Sequence, residues 1–204
     1  MEIPVTGMVL CVIALLYRIW LQGHQRDQRE HQQLLEQQTK PPKQEPNAKV
    51  NKPKQYSKDG LEFRYPGNWK VTEDVRQADL RYLIVETPGD AILVIQIIPD
   101  KLAVSLKEYA QVFSDNARKE MPIGKMTPST FGVPQMAGGF EVIKGKFSIS
   151  VLGVITPHTQ HFRRKQIGNE VCFLISQAAS EDYLKVSTGF DQVINSFKYE
   201  NLLE

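Results

Sequence analysis

Apolar positions keep three different rhythms along the chain. From Ile3 to Leu21 they run nearly unbroken, IPVTGMVLCVIALLYRIWL, with Arg18 as the only charge. This is close to the shortest helix that crosses a hydrocarbon core. Tyr17 and Trp20 suit an interfacial aromatic belt, and Arg18 sits near enough to the end to snorkel. The pattern predicts a single-pass transmembrane anchor over residues 1–21, contacting membrane lipid through that helix. A cleaved signal peptide fits less well, because Glu2 stands where a basic n-region belongs and no small-x-small site follows. Met8-Val9-Leu10 likewise argues against a lipidated Cys11.

Over residues 22–55 the periodicity disappears. Gln occurs nine times, and Pro41, Pro42, Pro46 and Pro53 interrupt the second half. The first part, with Leu34-Leu35 as its apolar pair, predicts a solvated helical stalk ending at Pro41-Pro42. The remainder, KQEPNAKVNKPKQ, reads as an extended, mildly basic linker. Nothing in this stretch can build a core.

From Tyr56 the rhythm is that of an α+β domain, residues 56–204. Leu61, Phe63 and Tyr65 alternate with Glu62 and Arg64 up to Pro66-Gly67, which predicts a half-buried strand that resumes at Trp69 and Val71. Tyr82–Glu86 and Ala91–Ile98 are β-branched runs split by Pro88-Gly89-Asp90, with the second expected to be a central strand. Ser105 and Glu108 form a capping box for a helix carrying Leu106, Tyr109, Ala110, Phe113 and Ala117 on one face. Strands are expected between Thr127 and Ile155, with Phe147, Ile149 and Val151 on one side and a possible turn at Lys144-Gly145-Lys146. Phe162–Ile167 and Glu170–Ala178 flank Gly168-Asn169, a two-residue hairpin turn. A last helix is expected from Ser180 through Phe197, weakened at Gly189, followed by a short strand over Phe197–Tyr199. Neighbouring hairpins with segregated helices imply an antiparallel sheet flanked by helices, and exclude a doubly wound nucleotide fold.

Charge sharpens this division. Residues 1–55 carry eight Lys/Arg against five Asp/Glu, and residues 56–204 carry seventeen against eighteen. A neutral domain does not suit nucleic acid, whose binders concentrate a basic excess on one face. The excess of Arg18, Arg26 and Arg29 at and beyond the end of the span places the domain on the cytoplasmic side by the positive-inside rule. The two cysteines, Cys11 and Cys172, lie too far apart in the pattern for a disulfide scaffold, and Cys172 reads as a small buried hydrophobe.

The opening YSKDGLEFRYPGNW, Tyr56–Trp69, and the close GFDQVINSFK, Gly189–Lys198, resemble the start and end of PsbP-like and DcrB-like domains. The resemblance covers residues 56–200. It implies an α/β/α-like sandwich that works by binding proteins, without catalysis or cofactor. Relatives of this kind include an extrinsic photosystem subunit, bacterial envelope proteins, secretion chaperones and an import factor. Many lie on the outer side of a membrane, opposite to what the flanking charge implies, so both faces stay open.

Chemistry-bearing motifs are few. His158 and His161 are the only histidines of the domain, and no nucleophile elbow or phosphate-cradling glycine loop accompanies them. His158-Thr159-Gln160-His161 would present two imidazoles to one metal only if it curled as a loop, and it reads as a plain polar loop. No catalytic, cofactor or metal residues are therefore assigned. Arg163-Arg164-Lys165, with Lys144 and Lys146 on an adjacent strand, form the candidate contact for a protein partner or anionic lipid. Alternation places Arg163 and Lys165 on one side and Arg164 on the other. Phe63, Tyr65 and Trp69 read as core. The function expected is a membrane-anchored, non-enzymatic assembly domain acting on a partner protein, with a small-ligand or lipid-binding envelope domain as the alternative.

Overall fold

The computed structural model describes residues 45–77, 79–121 and 124–200; the expected anchor, and the stalk as far as residue 44, lie outside them. Among the described residues no helix is long and apolar enough to cross a membrane. β1 (Lys54–Lys58) and β2 (Leu61–Tyr65) form a hairpin, and β12 (Lys198–Tyr199) pairs with the other side of β2 to make a three-stranded antiparallel sheet. The larger sheet runs β3 (Lys70–Gln77), β4 (Leu80–Glu86), β5 (Ile92–Pro99), β11 (Glu170–Ala179), β10 (Val154–Ile167) and β9 (Phe140–Val151). Three short strands, β6 (Lys125–Met126), β7 (Thr130–Phe131) and β8 (Gln135–Ala137), pair along the outer side of β9 and cover what would be a long open edge. All described pairings are antiparallel.

The runs of β4, β5 and β11 are apolar without alternation because both faces of the large sheet are covered. Helix α1 (Leu106–Lys119) covers one, and α2 (Tyr183–Ser196) with the small sheet covers the other. On the α1 side, Leu106, Tyr109, Ala110 and Phe113 meet Phe162, Phe173 and Ile175. The Tyr109 ring stacks on Phe173 at 3.9 Å and its hydroxyl donates to Gln96 Oε1. Ser105 caps α1 as its spacing from Glu108 predicts, accepting from the Glu108 N–H at 3.2 Å.

On the α2 side, Trp69 is fully buried against Phe190 with ring centroids 5.2 Å apart. Gly189 is a close-approach position: a Cβ there would come within 2.5 Å of the indole and 2.7 Å of Pro66. The helix accepts a weak residue so that the Pro66–Trp69 corner can lie against its backbone. Phe63 and Trp69 are core, as expected, and Tyr65 packs against it.

Several expectations are corrected. Trp69 and Val71 do not resume β2; the chain turns at Pro66–Asn68 and β3 enters the other sheet. Helix α2 begins at Tyr183, three residues later than Ser180, whose N–H is committed to the Pro157 carbonyl. The expected closing strand is present over Lys198–Tyr199, with Phe197 left as the cap of α2. Lys144-Gly145-Lys146 is no turn; it lies within β9, with the Phe131 ring over Gly145. The turn falls at Leu152-Gly153, where both residues take positive φ.

Residues 45–55, which composition alone assigns to a free linker, are fastened to the domain. Glu45 is buried and its carboxylate accepts from Thr87 Oγ1 at 2.8 Å and from the N–H groups of Ala91 and Gly89 at 3.2 and 3.3 Å. The Ala48 N–H then donates to the Lys185 carbonyl at 2.9 Å, and Lys54 opens β1. One buried carboxylate satisfying the β4–β5 turn stops the chain from leaving the surface here.

Candidate functional site

Antiparallel pairing of β9 with β10 sets His161 opposite Lys144 and Thr159 opposite Lys146, with Arg163 opposite Val142. Side chains alternate, so Lys144, Lys146, His161, Arg163 and Lys165 share the α2 side of the sheet, and Arg164 faces the other side. The stripe expected from the sequence is thereby assembled except for Arg164, which approaches Asp100 at 3.9 Å and donates to Gln166 at 3.3 Å. Lys144 and Lys146 are exposed, and Lys165 lies 5.4 Å from the centre of the Phe140 ring.

Arg163 is not a surface residue of the patch. It is 8% exposed, and its guanidinium donates to Ser176 Oγ at 3.2 Å and approaches His161 Nδ1 at 3.4 Å. Among the described residues no carboxylate lies within 4.0 Å of Lys144, Lys146, Arg163 or Lys165. Burial lowers the Arg163 pKa, with Tyr183 and Asp191 opposing the shift. The hydroxyl of Tyr183, from the first turn of α2, lies 2.8 Å from His161 Nδ1. Arginine only donates, so Nδ1 is the acceptor and the ring is neutral there. Burial, then the charges of Arg163 and Lys144, push the His161 pKa down to about 4.

The segment His158–His161 is strand and not loop, a correction with a chemical consequence. Positions three apart on a strand face opposite ways, so the two imidazoles cannot share a metal. His158 stacks on Phe147 at 5.0 Å and donates from Nδ1 to the Thr156 carbonyl at 3.0 Å. Cys172 is buried, and burial foremost, with Glu170 adding, pushes its thiol up to about 12. Such a thiol does not ionise near neutrality.

Two further features escaped the sequence reading. A shallow groove of about 420 Å³ opens between β8 and the far end of β10, lined by residues including Met136, Glu141, Arg164 and Lys165. The β9–β10 hairpin also overhangs its neighbour. Pairing with β11 stops at His158, and the four residues before it reach roughly 13 Å further. Leu152, Val154 and Ile155 at that tip are 75%, 65% and 67% exposed. A lone apolar V-L-G-V run hid the turn, since the tight-turn signals of Asn, Asp or paired Gly are missing.

No family model matches the chain, and no curated protein does. Solved structures do. The chain is similar to the solution structure of cyanobacterial PsbP (CyanoP) from Synechocystis sp. PCC 6803, at 16% identity over 74% of this chain and 94% of that one, with a TM-score of 0.48. It is similar to a crystal structure from Bacteroides thetaiotaomicron VPI-5482 at 14% identity, over 74% of this chain and 50% of the other, with a TM-score of 0.43. The third is LpqN, involved in cell envelope biogenesis of Mycobacterium tuberculosis, at 14% identity, 73% and 90% coverage and a TM-score of 0.34. A PsbP is thus among the structures this chain resembles, as the motifs at its two ends led us to expect.

Proposed function

We propose that this protein is a membrane-anchored interaction domain that binds a partner protein beside the bilayer and does not turn over a substrate. The observation that carries the reading is the stripe of Lys144, Lys146 and Lys165, with the buried Arg163 beneath it, on one side of β9 and β10 with no carboxylate of the described residues in ion-pair reach. His161 lies among them, its protonated form disfavoured first by burial and then by the charges of Arg163 and Lys144. An array of charge that the fold leaves unneutralised is complementary to an acidic segment of another chain. The side chains with catalytic potential are engaged in packing: His161 under Tyr183, His158 on Phe147 and Cys172 within the core. The anchor over residues 1–21 would raise the effective concentration of the domain for a membrane partner.

The test is photo-crosslinking from position 146 of the full chain in its own membrane, beside the Lys144→Glu/Lys165→Glu double variant. A protein adduct that falls several-fold on charge reversal is expected. An adduct unchanged by reversal, or none at all, overturns the stripe as the contact. A reporter on the carboxyl terminus that is active on one side of the membrane decides which partners are accessible. The groove beside Arg164 and Lys165 favours a second reading, small-ligand or lipid binding, which predicts a ligand lost on Arg164→Ala.

A further inference from the structure

Exposed apolar side chains stand in two places on the large sheet, Val133 and Met136 by β8 and a second group at the end where the chain enters. Register places the β4–β5 turn, the start of β10, the end of β11 and the end of β9 at one end, since Ile92 pairs with Gln177, His158 with Ala179 and Val154 with Val151. Glu45 is bound into that β4–β5 turn, and Ala48 is bonded to Lys185 in the first turn of α2. Everything before Glu45, including the apolar run Ile3–Leu21, therefore joins the domain at this end. The same end carries Leu152, Val154, Ile155 and Leu184, the last 83% exposed.

The tip is apolar on both faces, which is unusual for a hairpin that only has to turn. Alternation puts Val151 and Val154 on the α1 side and Ile155 on the α2 side, so neither face can be folded back against the domain without exposing the other. The turn itself is built against local preference. Asp59-Gly60 and Gly138-Gly139 place turn-forming residues at positive φ, whereas Leu152 holds φ +50 in the β9–β10 turn. A bulky side chain in that conformation is strained, and its effect here is to set a leucine at the outermost point. Behind the tip, Lys125 opposite Ser150 is exposed and basic.

We infer that the β9–β10 tip, with Leu184 at the same end of the domain, is a wedge that seats in the headgroup–acyl boundary of the bilayer holding residues 1–21. The inference rests on the membrane-anchored reading above and adds to it which end of the domain faces the lipid. Four apolar side chains make a weak membrane contact by themselves, as reversible as single lipid anchors are. Tethering makes it sufficient, because residues 22–44 keep the tip near the surface it must enter. Lys125 behind it lies where anionic headgroups would meet it. With this end seated, the cationic stripe leads away from the membrane along β9 and β10, which leaves it open to a partner.

The experiment uses the full chain in phosphatidylcholine vesicles, with and without phosphatidylglycerol. Cys11→Ser removes one cysteine and Cys172 is buried, so a polarity-sensitive fluorophore can be placed at Val154→Cys or, at the opposite end of the sheet, at Asn169→Cys. Blue-shifted emission at 154, quenched several-fold more by spin-labelled lipid than emission at 169, is expected. Leu152→Asp should abolish most of that difference while the protein still floats with the vesicles. A chain that floats but shows equal, solvent-like emission at both positions overturns the wedge and leaves the anchor standing. Failure to float overturns the anchor, and the wedge with it. Pyrene excimers between labels at 154 that grow with protein density, in place of lipid quenching, would assign the tip to a second copy of the chain and overturn lipid contact.

Discussion

Arg81 and Arg163 are buried on the same side of the large sheet, at opposite flanks, 3% and 8% exposed, and they are held in different ways. Arg81 bonds Asp74 through Nε at 3.0 Å and Nη2 at 3.3 Å, the carbonyls of Asp59 and Lys58 at 3.1 Å, and the Tyr56 hydroxyl at 3.1 Å. One guanidinium so ties the β1–β2 hairpin to β3 and β4. Burial works to lower its pKa, and the bonds and charge of Asp74 outweigh that and raise it. Arg163 has a hydroxyl and a neutral imidazole, and its pKa is lowered. The first arginine is a fastener whose charge the fold repays. The second is a charge the fold tolerates, and such tolerated costs are where function is to be sought.

The largest test replaces each arginine by methionine. Arg81→Met leaves Asp74 with only Lys58 and the Tyr56 hydroxyl and removes the bonds to the Asp59 and Lys58 carbonyls, and should cost about 3 kcal/mol, read from the urea midpoint. Arg163→Met, which removes a buried charge without orphaning a carboxylate, should be neutral or stabilising by about 1 kcal/mol. Equal losses at the two sites would erase the distinction. Next in size, a double-mutant cycle of Arg81→Met with Asp74→Asn should return a coupling of about 1–3 kcal/mol. No comparable coupling is expected between Arg163 and Asp191, which touch no common bond.

Acid should separate the two regions as well. His161 titrates near 4 in the fold against an ordinary 6.5, so its neutral form stabilises the protein fully above pH 6.5, and that contribution is lost as pH falls toward 4. For Asp74 burial raises the pKa, but bonds from Arg81, Lys58 and Tyr56 win and bring it down to about 2 from 3.8. Its contribution is complete above pH 3.8 and is lost toward 2. Unfolding free energy against pH should show two limbs, the upper one removed by His161→Gln and the lower by Asp74→Asn. The smallest effect is Lys144→Gln, which should raise the His161 pKa by a fraction of a unit because burial remains its main cause; imidazole NMR titration would read it.

These two regions also show what the sequence carried. Alternation, the Ser105–Glu108 cap and the Gly168-Asn169 turn are local signals, and the elements they predict are present, with α2 shortened. Arg81 had a signal that was missed: a lone cation inside the apolar run LRYLIVE needs a buried partner. Arg163 had none, because within Arg163-Arg164-Lys165 each cation looks equally solvated until Ser176, His161 and Tyr183 are brought over one of them. Glu45 was invisible for the same reason, its first partner, Thr87, being 42 positions away. The basic stripe was legible as composition and strand alternation, whereas the apolar tip was concealed by a turn made from residues that normally continue a strand.

The burial of Glu45 has a mechanical consequence. Any pull transmitted along residues 1–44 enters the domain at the β4–β5 turn, between two interior strands, and not at a sheet edge where strands unzip one bond at a time. The bonds of the Glu45 carboxylate and the Ala48–Lys185 bond must give way before such a pull reaches β1, so the fastening acts as a strain relief for the edge of the small sheet.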